Sequence, residues 1–323
     1  MTTRPSVLVT RRLPPAIEQQ LSQEFDATLN THDRTLSVQD LVEAQADAIL
    51  ATVGDDLSAD TIARLSPRVK LIATFSVGYD HIDVDAAAGR GIVVTNTPDV
   101  LTDATADCAL LLMLGAARRA TEGAQLVRSG SWEGWRPTQL LGAQVTGKRL
   151  GIMGFGRIGQ ALAKRARDGL AMDILYYDVQ RCDPKQERGA TYFTSLEAML
   201  PLCDFLSVHL PSIPSTRSIL NARTIALLPS GAVVINTARG DLIDDAALIA
   251  ALKTRHVAAA GLDVFAGEPK LHAAYLDLPN AMLLPHLGSA TLETREAMGR
   301  CAIENIRAHF SGLSPPNRVS VTA

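Results

Sequence analysis

The chain of 323 residues is poor in cysteine, has no dense basic block and contains no apolar run long enough to cross a bilayer. Each scarcity removes a class of function. The four cysteines, Cys108, Cys182, Cys203 and Cys301, form no CxxC pair and have no histidine at zinc spacing. They read as free thiols of a reducing compartment, with no metal site. Lys and Arg (31) nearly balance Asp and Glu (34), for a net charge of −3. That balance argues against nucleic acid as the main partner and against a basic membrane-surface helix. The longest apolar run, CALLLMLGAA, is bounded by Asp107 and Arg118, well short of the roughly 18 residues a spanning segment needs. The opening MTTRPSVLVTRRLPP carries too short an apolar run for a secretory signal. No internal repeat or low-complexity tract appears. A cytoplasmic protein is expected.

What is present is an alternation. With 47% hydrophobic residues the chain can bury large cores, and its length implies two domains, since single cores stop growing near about 250 residues. Short apolar runs at 6–10, 47–52, 70–75 and 91–96 read as buried strands, with helices starting near Pro14, Ser37, Ser58 and Asp83. After Pro98 a long Ala- and Leu-rich helix is expected from about Thr102, closed by Gly130 to Gly134. Strands follow at 149–154, 172–177, 205–210, 232–237, 258–264 and 281–285, and a last helix from Thr291 to about Ser311. Continuous apolar strands alternating with helices indicate α/β architecture with parallel sheets covered on both faces.

The stretch RLGIMGFGRIGQALAKRA (149–166) reads as strand, glycine turn and helix, with Gly154, Phe155, Gly156, Arg157, Ile158 and Gly159 in the turn. A bare GxGxxG is a weak signal in a chain with 23 glycines, but the flanking strand and helix strengthen it. The helix's inner face is expected at Ile158, Leu162, Ala166 and Leu170. Gly154 permits the turn, Gly156 lets a pyrophosphate approach the backbone, and Gly159 lets helix and strand pack closely. The N–H groups around Arg157 and Ile158 favour an anion. Asp178, nineteen residues after Gly159, ends the next strand. It can accept from ribose hydroxyls and would repel a 2′-phosphate, which favours NAD(H). Arg181, close by in sequence, keeps NADP(H) open.

Three side chains follow predicted strand ends, where open α/β sheets bind ligands. Arg239, in INTARGDLIDDAAL, offers a permanent charge and a planar fork for a carboxylate. His286, in LLPHLGSAT, can deliver a proton near neutral pH. Glu268, in GLDVFAGEP, can hold the imidazolium. Singly, each has a bland reading: a surface arginine, a turn glutamate, one of seven histidines. Together, in a sheet with a nucleotide turn, they read as catalytic. His209, in SVHLP, either lines the cofactor cleft or has a structural role.

The motifs FSVGYDHIDVDAAAGRGIVVTNTPDVLTDATADCALLLML, LGIMGFGRIGQALAKRA, VVINTARGDLIDDAAL and GLDVFAGEP followed by LPNAMLLPHLGSAT come in one order along the chain. In that order the chain resembles the D-isomer-specific 2-hydroxyacid dehydrogenases over essentially its whole length. TPDVLTDATAD and SWEGWRP resemble the glyoxylate/hydroxypyruvate reductase branch. The resemblance implies a Rossmann NAD-binding domain (99–290) inserted into a flavodoxin-like substrate-binding domain (1–98 and 291–323). It implies hydride transfer between NAD(P)H and a small 2-keto acid, glyoxylate or hydroxypyruvate foremost; the net reaction is expected to run mainly toward the D-2-hydroxy acid, because keto-acid reduction is favoured near neutral pH. It carries over Arg239, Glu268 and His286 as catalytic, and Val77 and Gly78 as backbone donors to the substrate carboxylate. Thr105 becomes a cofactor contact; Thr237, Ala238, Asp263 and Gly288 fall near the nicotinamide and its ribose. Trp135 matches a position that can reach a neighbouring subunit's pocket, and a homodimer joined through the connector helix is implied. Two departures stand out: several NADPH-preferring glyoxylate reductases are neutral or basic where this chain has Asp178, and His272 and HAAY differ from commoner sequences. Alternatives are a related dehydrogenase for 2-ketogluconate, phosphoglycerate or phosphite, formate being disfavoured by Glu268, and a non-catalytic NAD(H)-sensing scaffold.

Overall fold

The structure, a computed structural model, describes residues 4–320. Two compact units form: one runs to Leu101 and resumes at Ser289, and the other is Thr102–Gly288.

The first unit contains β1 (Ser6–Val9), α1 (Pro15–Glu24), β2 (Asp26–Thr28), α2 (Val38–Glu43), β3 (Ala48–Ala51), α3 (Ala59–Arg64), β4 (Leu71–Thr74), α4 (Val84–Gly89) and β5 (Val93–Thr95). Its five strands are all parallel, in the order β2-β1-β3-β4-β5, the flavodoxin-like order. Helix starts follow local chemistry. Ser37 and Asp40 form a reciprocal capping box, Asp83 accepts from Ala86 N–H, and α1 opens with proline. Ser58 precedes α3 without a side-chain cap bond. Strand β2 was not expected. It is a three-residue edge strand with exposed ends, so no apolar run announces it.

The second unit contains α5 (Thr102–Ala117), α6 (Ala120–Arg128), β6 (Arg149–Met153), α7 (Arg157–Leu170), β7 (Asp173–Tyr177), α8 (Pro184–Glu187), β8 (Thr191–Phe193), α9 (Leu196–Met199), β9 (Phe205–Val208), α10 (Ala222–Ile225), β10 (Ala232–Asn236), α11 (Asp245–Lys253), β11 (Val257–Leu262) and β12 (Ala281–Leu283). The last helix, α12 (Leu292–Phe310), returns to the first unit. Seven parallel strands run β12-β11-β10-β9-β6-β7-β8. Strand order reverses between β6 and β9, which makes that point the expected ligand crevice of a doubly wound sheet.

Two expectations are corrected. The connector is two helices, because Arg119 turns left-handed (φ 54°) between them. The Ala117 carbonyl accepts from Ala143 N–H at 2.8 Å, and α6 buries no residue that would continue the packing of α5. On α7 the buried face is Gly159, Leu162, Ala163 and Ala166; Ile158 and Leu170 are only half-buried flanks. Helix α5 buries Ala109, Leu112, Met113 and Ala116 against β10, β11 and α7. Gly261 makes that approach possible, since a Cβ there would lie 2.8 Å from the Leu112 Cβ.

Candidate active site

The turn after β6 is built as the glycines require. Gly154 has φ 91°, and a Cβ there would sit 2.7 Å from the His209 carbonyl at the end of β9. A Cβ on Gly159 would meet the Gly154 oxygen at 2.3 Å, whereas one on Gly156 would meet nothing within 4 Å. Gly156 caps α7 without any side-chain bond, and the first-turn N–H groups of a helix face out of its N-terminal end. Asp178 Oδ2 accepts from Phe155 N–H at 2.8 Å, and Oδ1 from Val179 N–H at 2.7 Å. Arg181 turns to Glu187, with Nε and Nη2 donating to its two oxygens at 2.6 and 2.9 Å. His209 bonds Ser207 Oγ through Nε2 at 2.8 Å; burial pushes its pKa down to about 4, so it is neutral at pH 7.

Arg239 follows β10 on a turn wound around Asn236. The Asn236 side chain donates to the Arg239 carbonyl at 2.8 Å and accepts from Ala238 N–H at 3.0 Å. Arg239 Nη1 donates to the Ala238 carbonyl at 2.8 Å. The next residue, Gly240, lies so close to the loop after β11 that a Cβ would be 1.9 Å from the Phe265 carbonyl carbon. Gly240, inside TARGDLID, carries no local signal of this contact, because its partner lies some 25 residues further along the chain.

Glu268 and His286 meet directly, with Nδ1 to Oε2 at 2.8 Å and both side chains about one-third exposed. Phe265 N–H donates to the other oxygen of Glu268 at 2.8 Å. Burial alone would raise the Glu268 pKa. The hydrogen bonds from His286 and Phe265, with the charges of His286 and Arg239, outweigh it and hold the carboxyl below its ordinary range. Beneath His286 lies Asp263, 1% exposed. Its carboxylate accepts from Leu287 N–H at 2.6 Å and Gly288 N–H at 2.7 Å, and its carbonyl from His286 N–H at 2.9 Å. Burial raises the Asp263 pKa against the pull of those two N–H groups. Thr105 packs beside Asp263 at Gly288. Trp135 is 81% exposed. His272 accepts from Ala274 N–H and caps the 3-10 turn Ala273–Asp277, which gives that sequence departure a local structural task.

Val77 and Gly78 belong to the first unit, after β4. The Val77 carbonyl accepts from Asn96 Nδ2 at 2.8 Å, and the Gly78 carbonyl from Ser76 Oγ at 2.6 Å. Among the described residues, neither the Val77 nor the Gly78 N–H donates to the protein. Asn96 is itself gripped by α12, as Asn305 Nδ2 donates to its carbonyl at 3.1 Å. Neither asparagine was singled out from the sequence, since their partners lie far along the chain.

The family model described as D-isomer specific 2-hydroxyacid dehydrogenase, NAD binding domain, matches residues 110–288, more than half of the chain. The chain belongs to the D-isomer specific 2-hydroxyacid dehydrogenases. This dehydrogenase is 44% identical over 314 residues to glycerate dehydrogenase from Hyphomicrobium methylovorum, covering 96% of this chain and 97% of that one. It is 41% identical to glyoxylate reductase from Thermococcus litoralis, covering 98% and 97%. An NADPH-dependent glyoxylate/hydroxypyruvate reductase from Sinorhizobium meliloti, solved with NADP and malonate, superposes with a TM-score of 0.87 at 35% identity, covering 98% of this chain and 97% of that one. The dehydrogenase is an NAD(P)-dependent oxidoreductase, and its residues fit a dinucleotide. The space beside Gly156 is open, and the buried Thr237 hydroxyl at the end of β10 has no hydrogen-bond partner among the described residues. Among those residues no helix is long and apolar enough to cross a membrane, and no acidic, His or Cys cluster could hold a metal.

Proposed function

We propose that this dehydrogenase reduces a small 2-keto acid, glyoxylate or hydroxypyruvate, to the D-2-hydroxy acid with NADH. The observation that carries the reading is the His286–Glu268 pair, with the charge of Arg239 acting on the same carboxylate in a sheet that also holds a dinucleotide turn. The names of the relatives support the substrate class: glycerate is the reduction product of hydroxypyruvate.

Bound NADH supplies the hydride to the carbonyl carbon. Arg239 holds the substrate carboxylate and polarises its carbonyl with a permanently charged fork. The Val77 and Gly78 N–H groups, left over once their carbonyls are bonded inward, add donors for the carboxylate. His286 gives a proton from Nε2 to the developing alkoxide, and Glu268 at Nδ1 fixes the ring and stabilises its charged form. The N–H groups of α7 and the open side of Gly156 hold the pyrophosphate. Thr105, Thr237, Ala238 and the loop anchored by Asp263 and Gly288 border the nicotinamide half, and His209 borders the glycine turn. Asp178 accepts the adenosine ribose hydroxyls and disfavours a 2′-phosphate. Exposed Leu111 on α5 and Val127 on α6, with exposed Trp132, Trp135 and Leu141 just after α6 in the chain, support a homodimer joined through the connector helices, checked by sedimentation.

The test is a panel of glyoxylate, hydroxypyruvate, 2-ketogluconate and phosphohydroxypyruvate against NADH and NADPH, following cofactor absorbance. Glyoxylate or hydroxypyruvate with NADH is expected to give the highest kcat/KM. No turnover of any 2-keto acid with either cofactor removes the proposal and leaves the sensing scaffold.

A further inference from the structure

Asp178 is not the only residue that bears on a 2′-phosphate. Three residues further along the loop from β7 to α8 stands Arg181, the kind of side chain that binds phosphate with a planar fork. Its side chain is 57% exposed, but its fork is occupied by Glu187, whose own side chain is only 10% exposed. Glu187 receives a third bond, from the Tyr176 hydroxyl at 2.7 Å. Tyr176 is fully buried, and its ring stacks on Phe155 of the glycine turn with centroids 4.1 Å apart. The bonds from Arg181 and Tyr176 hold the Glu187 carboxyl down at about 2, so it stays charged at any working pH. A continuous set of contacts therefore runs from the nucleotide turn through Phe155 and Tyr176 to Glu187 and Arg181.

We infer that Glu187 sets coenzyme choice by withholding Arg181 from the 2′-phosphate of NADP(H). Coenzyme discrimination is then made by two acidic groups with different tasks: Asp178 repels the phosphate, and Glu187 occupies the cation that would otherwise receive it. The arrangement is self-reinforcing, because drawing Arg181 away would leave a largely buried carboxylate with Tyr176 as its remaining partner. The inference rests on the dinucleotide assignment above and adds a specificity-determining residue to it.

The experiment compares binding of adenosine 2′,5′-bisphosphate and 5′-AMP, which differ by the 2′-phosphate alone, to the full-length apoprotein by calorimetry. Glu187→Gln is expected to raise the 2′,5′-bisphosphate to 5′-AMP affinity ratio at least fivefold, and the NADPH to NADH ratio of kcat/KM in the same direction. In Arg181→Ala the ratio is expected to stay within twofold of the parent, because that arginine is already engaged. Adding Glu187→Gln to Arg181→Ala is expected to give no gain. A gain that survives in the double variant would reflect loss of a negative charge alone and overturn the inference. So would an unchanged ratio in a folded Glu187→Gln, or a fall in Arg181→Ala, which also decides the matter if Glu187→Gln does not fold. If the parent binds neither 5′-AMP nor NADH, the dinucleotide assignment fails first and takes this inference with it.

Discussion

His286 holds a left-handed backbone (φ 56°), a conformation that costs a residue with a Cβ about 1–2 kcal/mol. Three bonds to Asp263, from the N–H groups of residues 286, 287 and 288, offset it and aim the ring at Glu268. The division of labour is then testable by substitution. Glu268 lies below the ordinary carboxyl range, so it is ionised across neutral pH and meets His286 Nδ1 as a carboxylate. In Glu268→Gln, kcat/KM at neutrality is expected to fall about 10- to 100-fold, and the acid limb that reports protonation of Glu268 is expected to disappear. A steady-state pH series reads this directly, and parental activity at neutrality refutes the orienting role.

At the scale of elements, the site depends on one loop lying on another. Gly240, behind Arg239, touches the backbone of Phe265 and Ala266, where a Cβ would fall at 1.9 and 2.1 Å. Backbone cannot swing aside as a side-chain tip can, so Gly240→Ala must part the loop carrying Arg239 from the loop carrying Glu268. We expect a stability loss of about 1–3 kcal/mol, read as a lower Tm, and a fall in kcat/KM of about 100-fold from misplacement. A variant with parental Tm and activity refutes this packing. The same contact marks the limit of sequence reading. The glycine turn, the capped helix starts and the three strand-end residues were legible because spacing of a few residues carries their chemistry. Gly240 was not, because its reason is a loop some 25 residues away. Edge strands β2 and β8, three residues each with exposed positions, lack the apolar run that betrays a central strand. The break at Arg119 has neither glycine nor proline to announce it.

For the molecule as a whole, the chain order matters: the first unit is left at Leu101 and rejoined at Ser289, so the Val77–Gly78 loop, our proposed substrate loop, is braced by residues from the far end of the chain. Helix α12 buries Met298, Ala302, Ile303 and Ile306 in that unit, together with Asn305. Asn305 spans 209 residues of sequence to reach the Asn96 carbonyl, and it accepts from Asn317 N–H at 3.1 Å. Asn96 in turn fixes the Val77 carbonyl, in the loop whose Val77 and Gly78 N–H groups we propose for the substrate carboxylate. Removing the Asn305 amide strands polar groups of the buried brace, at a cost of about 1–3 kcal/mol. The damage should also have a direction. Asn305 and the substrate loop lie in one unit, and the glycine turn, Asp178 and the catalytic three lie in the other. Asn305→Ala is therefore expected to raise KM for the keto acid about 5- to 20-fold while the Kd for NADH, from fluorescence titration, stays within twofold. Equal weakening of both would mean that α12 serves general stability and not the loop; an unchanged KM would mean that the brace does not position Val77 at all.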